Sequence, residues 1–540
     1  MACIFNFLKF YTKWSMISPI NLFIAFLWFL SATVDYADFC YIWQLKEYRL
    51  DRMWDFCGTL QGKNYWVKYA LLWRSILAVI IFFWPINDML TIKYLLITLF
   101  LLDGLRASYL LHKKHLMRPK LTKKAILIIL GSILTEGFCF IVLHDWTIFL
   151  LLLMVRFFIL SIVVIILSSL SKIIKDYIIK RASEKINLYP NLLVIGITGS
   201  YGKTSVKNYL ASILSSRFKV KSTPQHINTD IGIARFILQE NFNNAEILIV
   251  EMGAYRVGEI QKICDMVKPK IGILTAISEQ HLSLFGDIKK TQQAKYELLL
   301  SLPRDGLAVV NADNVYCREY LHEIKAPVMT FGTEPENNPT YLIEETMSGL
   351  DGTIWSRSVN GRKTQVKSPL IGECIVMNVA PCVLVALHLQ MTVEQINEQI
   401  KILPPNIKIY ESAGRTVIDD SYNSNPDGFR SALDILNKFP SDKKRIIITR
   451  GMLELGEKSE EIHKKIAEDI QFVADELVVI TKDFVESLCS PLSEKYRTNF
   501  VLKDNPAELL EYVKELRDTN CVILLENRVP RTIRQELDLV

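Results

Sequence analysis

The sequence predicts an N-terminal bundle of transmembrane helices followed by two α/β domains. Half of the 540 residues are hydrophobic, and the mean hydropathy of +0.20 is high for a soluble protein. Long apolar runs dominate the chain up to about residue 171. From Ser171 onward, polar and apolar segments alternate as they do in soluble α/β proteins. The chain is long enough for several domains, and this change separates a membrane region from a soluble one.

Five apolar segments are each long enough to cross a bilayer, which takes about 20 residues in a helix. They lie at 16–34, 69–86, 89–111, 125–143 and 147–170. The loop at 112–124 carries six Lys or Arg residues and no acid, and the stretch SKIIKDYIIKR after the last segment is also basic. Because positive loops stay on the cytoplasmic side, we expect a multi-pass protein of the inner (cytoplasmic) membrane whose soluble part faces the cytoplasm. The number of crossings and the side of the N-terminus stay open.

Charge and cysteine content narrow the class of protein. The formal net charge of +6 is small for this length and is concentrated partly in the two basic stretches, which favours a topology signal over a nucleic-acid-binding surface. Ten cysteines are scattered without a CxxC pair, as in a protein whose thiols stay reduced.

Two charges, Glu136 and Arg156, lie deep within the apolar segments. Charged side chains at such depth face the interior of a bundle. Two interpretations stay open for them. They form a pair that fixes helix packing, or they form a polar site for the headgroup of a lipid-linked substrate.

The segment NLLVIGITGSYGKTSVKNYLASIL predicts a strand, a glycine-rich turn and a helix. Residues 192–197 are apolar like a buried parallel strand, and helical spacing begins at Lys203. A glycine-rich turn that opens a helix directs backbone N–H groups at an anion. The pattern predicts an ATP site in which Lys203 reaches the outer phosphates and Thr204 places its hydroxyl on Mg²⁺. The strict form of the motif has a glycine where this chain has Ile197. The other predicted loop contacts are Gly199, Ser200, Gly202 and Ser205.

Six further segments follow in order and, with TGSYGKT, resemble the Mur ligase family, in particular its branch that adds D-alanyl-D-alanine. They are STPQHINTDIG, ILIVEMGAYRVGEI, ISEQHLSLFGDIKKTQQAKYELLLSL, GLAVVNADN, IDDSYNSNPDGFRSAL and GMLELGEKSEEIH. The resemblance covers about residues 190–530. It implies a central domain at 190–403 with a P-loop ATPase-like parallel sheet and a Rossmann-like C-terminal domain at 404–540. Before them lie the transmembrane region at 1–171 and a basic amphipathic linker at 172–189.

The resemblance also implies a set of metal ligands. Glu251 follows the strand ILIV, and open α/β sheets bind ligands at that end of a strand. The family makes it a Mg²⁺ ligand beside Thr204. His281 is implied as a ligand of a second Mg²⁺, and Lys295 matches the lysine that many Mur ligases carry as a carbamate. Lys203, His281 and Lys295 are therefore expected to be catalytic.

Further contacts come from the same family pattern. Asn311 is implied near the adenine and Asp420 on the side of the ribose and phosphates. The implied substrate contacts are Asn228, Tyr422, Asn423 and Asn425.

Three departures from the family concern the substrate. The family's N-terminal domain, which holds the uridine nucleotide of the substrate, is not recognisable, and the apolar segments occupy its place. A family Gly-Arg reads PPNIKIYE here, where Lys408 is the nearest cation and supplies charge without a bidentate fork. The family's Lys-Gly-Ser-Arg reads LLENRVPR, and Arg528 is retained as a candidate substrate contact.

These observations predict a membrane-anchored, ATP-dependent ligase that joins a carboxylate to an amine through an acyl phosphate. The expected partners are ATP, an amino acid or short peptide as the amine, a lipid-linked or envelope-associated carboxylate, and membrane lipid. Catalysis would rest on positioning and on charge neutralisation by Lys203 and Mg²⁺. A polyglutamate-synthase-like ligase and a catalytically weak nucleotide-binding scaffold remain as alternatives.

Overall fold

The structure is a computed structural model in which the chain divides into two compact units, residues 1–176 and 177–540. The described residues are 19–46, 48–58, 89–112, 118–143, 152–225, 227–254, 256–278, 287–359, 362–421, 426–452 and 459–539.

The described part of the first unit is helical. Its helices are α1 (Pro19–Leu45), α2 (Leu50–Gly58), α3 (Met89–His112), α4 (Lys123–Leu143) and the start of α5 (Arg156–Ile186). Helices thus occur at four of the five predicted apolar segments. The segment 69–86 and residues 16–18 and 147–151 lie outside the described residues. Among the residues searched, α1 and α5 are long and apolar enough to cross a membrane, by length and composition alone.

Arg156 and Glu136 face the interior of this unit, as predicted, with exposures of 1% and 0%. The Nε of Arg156 donates to both carboxylate oxygens of Glu136 at 3.0 and 3.1 Å. Its Nη1 donates to Asp35 and to Ser31, each at 2.8 Å. Side chains of α1 and α4 therefore accept the donors of Arg156, which favours the packing interpretation over a headgroup site.

A nine-stranded sheet forms the first part of the second unit. Its order is β2-β3-β1-β4-β5-β6-β7-β8-β9, parallel from β2 to β7 and antiparallel from β7 to β9. The strands are β1 (Leu193–Thr198), β2 (Val220–Ser222), β3 (Ile247–Glu251), β4 (Ile271–Leu274), β5 (Leu307–Asn311), β6 (Val328–Gly332), β7 (Tyr341–Gly349), β8 (Gly352–Val359) and β9 (Arg362–Ser368).

Helices cover both faces of this sheet. They are the end of α5, then α6 (Lys203–Leu214), α7 (Asp230–Gln239), α8 (Glu259–Val267), α9 (Ile288–Leu300), α10 (Val315–Arg318), α11 (Val376–His388) and α12 (Val393–Lys401). Successive residues of a strand point to opposite faces. Ile195 and Ile197 accordingly pack in one core with α6 and α11, whereas Val194 packs in another with α7, α8 and α9. This double burial explains why residues 192–197 are continuously apolar.

A six-stranded sheet forms the rest of the unit, in the order β10-β11-β15-β12-β13-β14 with β10 antiparallel. Its strands are β10 (Lys408–Ser412), β11 (Arg415–Asp420), β12 (Lys444–Thr449), β13 (Glu476–Val479), β14 (Phe500–Leu502) and β15 (Cys521–Glu526). Its helices are α13 (Pro426–Asn437), α14 (Ser459–Val473), α15 (Val485–Cys489), α16 (Glu494–Arg497), α17 (Pro506–Glu515) and α18 (Arg531–Glu536). The two α/β domains with mainly parallel sheets agree with the prediction.

Candidate functional site

The predicted glycine-rich turn connects β1 to α6 at residues 199–202. Gly202 has φ 79°, a left-handed conformation that glycine adopts without steric cost. A Cβ at Gly202 would lie 2.5 Å from the side-chain oxygen of Asn378. The amide of Ser200 donates to the carbonyl of Ala276 at 2.7 Å, which ties the turn to the end of β4. The strand, turn and helix predicted from the sequence are thus present, and the helix begins at Lys203.

Lys203 is directed back over the turn that precedes it. Its ammonium donates to the carbonyls of Gly199 at 2.7 Å and Ser200 at 3.0 Å. Desolvation lowers the pKa of Lys203 below its usual value, and the carboxylate of Glu251 opposes that shift. This places a cation where an anion held by the turn would need one.

Thr204 and Glu251 meet at the end of β3, as the sequence predicts for a shared metal site. The Thr204 hydroxyl lies 3.0 and 3.1 Å from the two carboxylate oxygens of Glu251, and Asn228 donates to the same carboxylate at 3.3 Å. The ammonium of Lys207 lies 3.1 Å from Glu251. Glu251 is therefore almost completely buried, at 2% exposure, and is neutralised by a neighbouring lysine.

Lys207 is a site residue that the sequence reasoning did not identify. It follows Lys203 by four positions on α6, and residues at this spacing share a helix face. That spacing was the available signal.

Lys295 approaches the turn from α9. Its ammonium donates to the Gly199 carbonyl at 2.8 Å, so two lysines converge on one oxygen. Burial, followed by the charge of Lys203, lowers the pKa of Lys295 well below its usual value. The structure places Lys295 beside the phosphate turn, and its environment favours the neutral amine.

A cavity of about 400 Å³ opens beside the turn, between the two sheets of the second unit. Predicted residues that line it are Gly202, Ser205, Asn311 and Asp420. The Asn311 amide donates to the carbonyl of Thr275 at 2.9 Å, and its oxygen accepts from the amide of Asp313 at 2.9 Å. Asn378 and Asn406 also line the cavity and were not identified from the sequence, because they belong to no contiguous motif.

Two predicted residues lie apart from this cavity. Lys408 is exposed at the start of β10 and does not line it, whereas the neighbouring Ile407 does. Arg528 is also exposed, and its backbone amide donates to the carbonyl of Ser421 at 2.9 Å. The predicted residues His281, Tyr422, Asn423 and Asn425 lie outside the described residues.

The residues present suit a magnesium ion in part. Hydroxyl and carboxylate oxygens such as those of Thr204 and Glu251 are ligands that Mg²⁺ prefers. Within the ranges that the structure describes, no group of three or more His, Cys, Asp or Glu side chains is arranged to hold a metal. Thr204 and Glu251 therefore fit an ion whose other ligands are phosphate oxygens and water.

Two protein-family descriptions match this chain. The Mur ligase middle domain matches residues 197–386, and the Mur ligase glutamate ligase domain matches residues 407–525. The first includes the phosphate turn, Glu251, Lys295 and Asn311, and the second includes Asp420.

Curated relatives and solved structures agree with these matches. The UDP-N-acetylmuramoyl-tripeptide–D-alanyl-D-alanine ligase of Bacillus subtilis (strain 168) is 25% identical over 276 residues, which are 50% of this chain and 59% of the relative. The protein of that name from Buchnera aphidicola subsp. Baizongia pistaciae (strain Bp) is 29% identical over 284 residues, which are 52% and 61%. This chain thus spans about three fifths of either relative's length.

Two solved structures have a similar fold. MurF from Acinetobacter baumannii has a TM-score of 0.60 at 24% identity, covering 68% of this chain and 80% of that one. The MurF ligase from Thermotoga maritima, in complex with ADP, has a TM-score of 0.58 at 25% identity, covering 68% and 83%.

Proposed function

Because the chain belongs to the Mur ligase family, we propose that it is an ATP-dependent ligase that joins a carboxylate to an amine by way of an acyl phosphate. The observation that carries this proposal is the contact of Thr204 with Glu251 beside the phosphate turn. A hydroxyl from the first turn of the helix and a carboxylate from the next strand are the protein ligands expected for Mg²⁺ on a bound nucleotide. Lys203, over the same turn, supplies the cation for the transferred phosphate.

The proposed chemistry solves a leaving-group problem. A carboxylate does not condense with an amine unaided, because hydroxide leaves poorly. Transfer of the γ-phosphoryl group of ATP to the carboxylate gives an acyl phosphate, from which phosphate leaves when the amine attacks. Lys203 and the backbone N–H groups of residues 199–202 stabilise the charge that spreads over the transferred group. Bound Mg²⁺ would supply further charge neutralisation at Thr204 and Glu251.

We further propose that Lys295 is carbamylated in the active protein. Only a neutral amine reacts with carbon dioxide, and the environment of Lys295 favours that form. The carbamate would convert a second cation beside Lys203 into an anion able to bind metal. Mass spectrometry under native conditions and ¹³C NMR with labelled bicarbonate would detect the adduct, and Lys295→Arg, which retains charge without a carbamate, would lack both signals and activity.

We propose that the N-terminal helices anchor the protein in the cytoplasmic membrane and that the carboxylate acceptor is lipid-linked or otherwise held at the envelope. Two long apolar helices, α1 and α5, support the anchor, as does the positive loop at 112–124. Extraction of membranes at alkaline pH would leave an integral protein in the pellet. Recovery of the full chain in the soluble fraction would contradict the anchor.

ATP-dependent phosphate release in membranes tests the ligase proposal. Membranes with the chain would be supplied with native lipid extract and one candidate amine at a time. D-alanyl-D-alanine enters the panel because the relatives' names contain it, and glutamate enters because a polyglutamate-synthase-like activity would consume it. We expect release that depends on one amine. ATP binding without release for any amine would favour the scaffold alternative.

A further inference from the structure

Glu526 is a buried carboxyl group to which the proposed ligase chemistry has so far given no role. It is the last residue of β15, is 0% exposed, and pairs in register with Asp420 of β11 and Thr449 of β12. Paired residues on neighbouring parallel strands project to the same face of a sheet. Glu526 therefore lies beside Asp420, which lines the cavity next to the phosphate turn.

Neither carboxyl oxygen of Glu526 has a hydrogen-bond partner among the described residues. Burial, and then the neighbouring Asp420 carboxylate, raise the pKa of Glu526 well above its usual value. A buried carboxyl group without a donor is costly. Two adjacent carboxyl groups cannot both ionise readily unless a cation joins them.

Other charged groups on this face of the sheet are already engaged. On α13, Arg430 forms an ion pair with Asp469 at 3.1 Å. On α14, the ring nitrogens of His463 contact the amide of Met452 and the carbonyl of Ser459. No cation of the described chain therefore compensates Glu526, which leaves that role to a ligand.

We propose that Glu526 and Asp420 form a carboxyl pair that binds the ammonium group of the incoming amine and accepts the proton that it must lose before attack. The inference rests on the proposed ligase function and adds the side of the site at which the amine enters. An ammonium group offers three N–H donors and one positive charge, which suits two carboxylates. ATP does not suit this position, because its phosphates would be repelled by both groups.

The step balances in atoms and charge. Binding of the ammonium displaces the proton that the pair otherwise shares, so both carboxyls are ionised. One N–H bond breaks, its proton passes to Glu526, and the nitrogen lone pair is freed. That lone pair forms the C–N bond to the acyl carbon as the C–O bond to phosphate breaks. The second nitrogen proton leaves with phosphate or water, and Glu526 returns its proton to water.

The test compares two nucleophiles in membranes that contain the chain, ATP and native lipid extract. One is the amine that supports phosphate release by the wild-type protein, and the other is hydroxylamine. Hydroxylamine is uncharged at neutral pH, so it traps an acyl phosphate as a hydroxamate without an ammonium site. For Glu526→Gln we expect the rate with the amine, relative to the hydroxamate rate, to fall about 10²-fold, the scale of general-base catalysis.

Glu476→Gln is the matched control, because Glu476 is a nearly buried carboxylate in the same sheet that has partners, Lys444 and Tyr512. This control should leave the ratio of the two rates unchanged. An unchanged ratio in Glu526→Gln would overturn the inference, and so would equal loss of both products, which would place Glu526 in phosphoryl transfer. Absence of hydroxamate from the wild-type protein would instead contradict the ligase function itself, so the two failures are distinguishable. The Tm of each variant verifies folding.

Discussion

Arg156 in the N-terminal unit and Glu526 in the C-terminal sheet are both withdrawn from solvent, with exposures of 1% and 0%. Arg156 donates to Glu136, Asp35 and Ser31. Glu526 has no partner for either oxygen in the part of the chain that the structure describes. A buried charge that is fully matched by its own protein has a structural use, whereas an unmatched one costs stability and needs a ligand to explain it.

Replacing Arg156 should give the largest effect on stability. Arg156→Leu leaves the carboxylates of Glu136 and Asp35 buried without their cation, and breaking a buried pair in this way costs about 3–5 kcal/mol. Thermal unfolding of the full chain in detergent measures the loss. Arg181→Leu on the same helix is the control, because Arg181 and its partner Glu184 are more than half exposed and such pairs contribute about 0–1 kcal/mol. Equal effects of the two variants would remove the structural role from Arg156.

Lys203→Ala should give the next largest effect, on catalysis rather than on stability. Loss of one charge-stabilising group lowers turnover about 10²–10³-fold, or about 3–4 kcal/mol in the barrier. Phosphate release at saturating amine is the measurement. Lys289→Ala changes an exposed lysine of α9 and serves as the control. Wild-type turnover in Lys203→Ala would exclude the phosphate turn as the site of phosphoryl transfer.

Lys207 tests an intermediate case, since its partner Glu251 is also the proposed metal ligand. Lys207→Met leaves Glu251 without its cation, while Thr204 and Asn228 still donate to it. We expect a loss of about 2 kcal/mol in the free energy of unfolding. Added Mg²⁺ should restore part of that loss, because a metal ion replaces the missing charge. If Mg²⁺ raises the Tm of the variant no more than that of the wild-type protein, Glu251 does not hold the metal.

Glu526→Gln should give the smallest effect on stability, with the opposite sign. The pKa of Glu526 is raised in the folded protein, so the folded state holds its proton more tightly than the unfolded state does. Stability is then lost as pH rises from the unfolded pKa of about 4.3 towards the folded one. Glutamine removes that dependence, so the variant should exceed the wild-type protein in Tm by a margin that grows as pH rises. A margin independent of pH would show that Glu526 is already compensated.

How much the sequence could predict depended on the distance over which each signal acts. The turn at 199–202, with Lys203 and Thr204, is one contiguous motif, and the structure forms it as a strand, turn and helix. Glu136 and Arg156 could be paired because few charges occur in long apolar segments. Lys408 was assigned by its place in the sequence alone. The alternation of a strand puts Ile407 towards the cavity and Lys408 towards solvent.

The contacts that the sequence could not predict join distant strands and helices. Glu526 meets Asp420 only because β15 inserts between β11 and β12, a pairing that no local pattern encodes. Asn378 reaches Gly202 from α11 for a similar reason. Local patterns thus identified the nucleotide side of the site, while the amine side emerged from the topology of the sheet.

Hydroxamate formation tests the central claim, activation of a carboxylate by ATP, most directly. Membranes that contain the wild-type chain or Lys203→Ala would be incubated with ATP, Mg²⁺, native lipid extract and hydroxylamine, with no other amine. We predict an ATP-dependent hydroxamate from the wild-type protein, with Lys203→Ala lowering its rate about 10²–10³-fold at unchanged Tm. Binding of ATP by the wild-type chain without any hydroxamate would contradict the account.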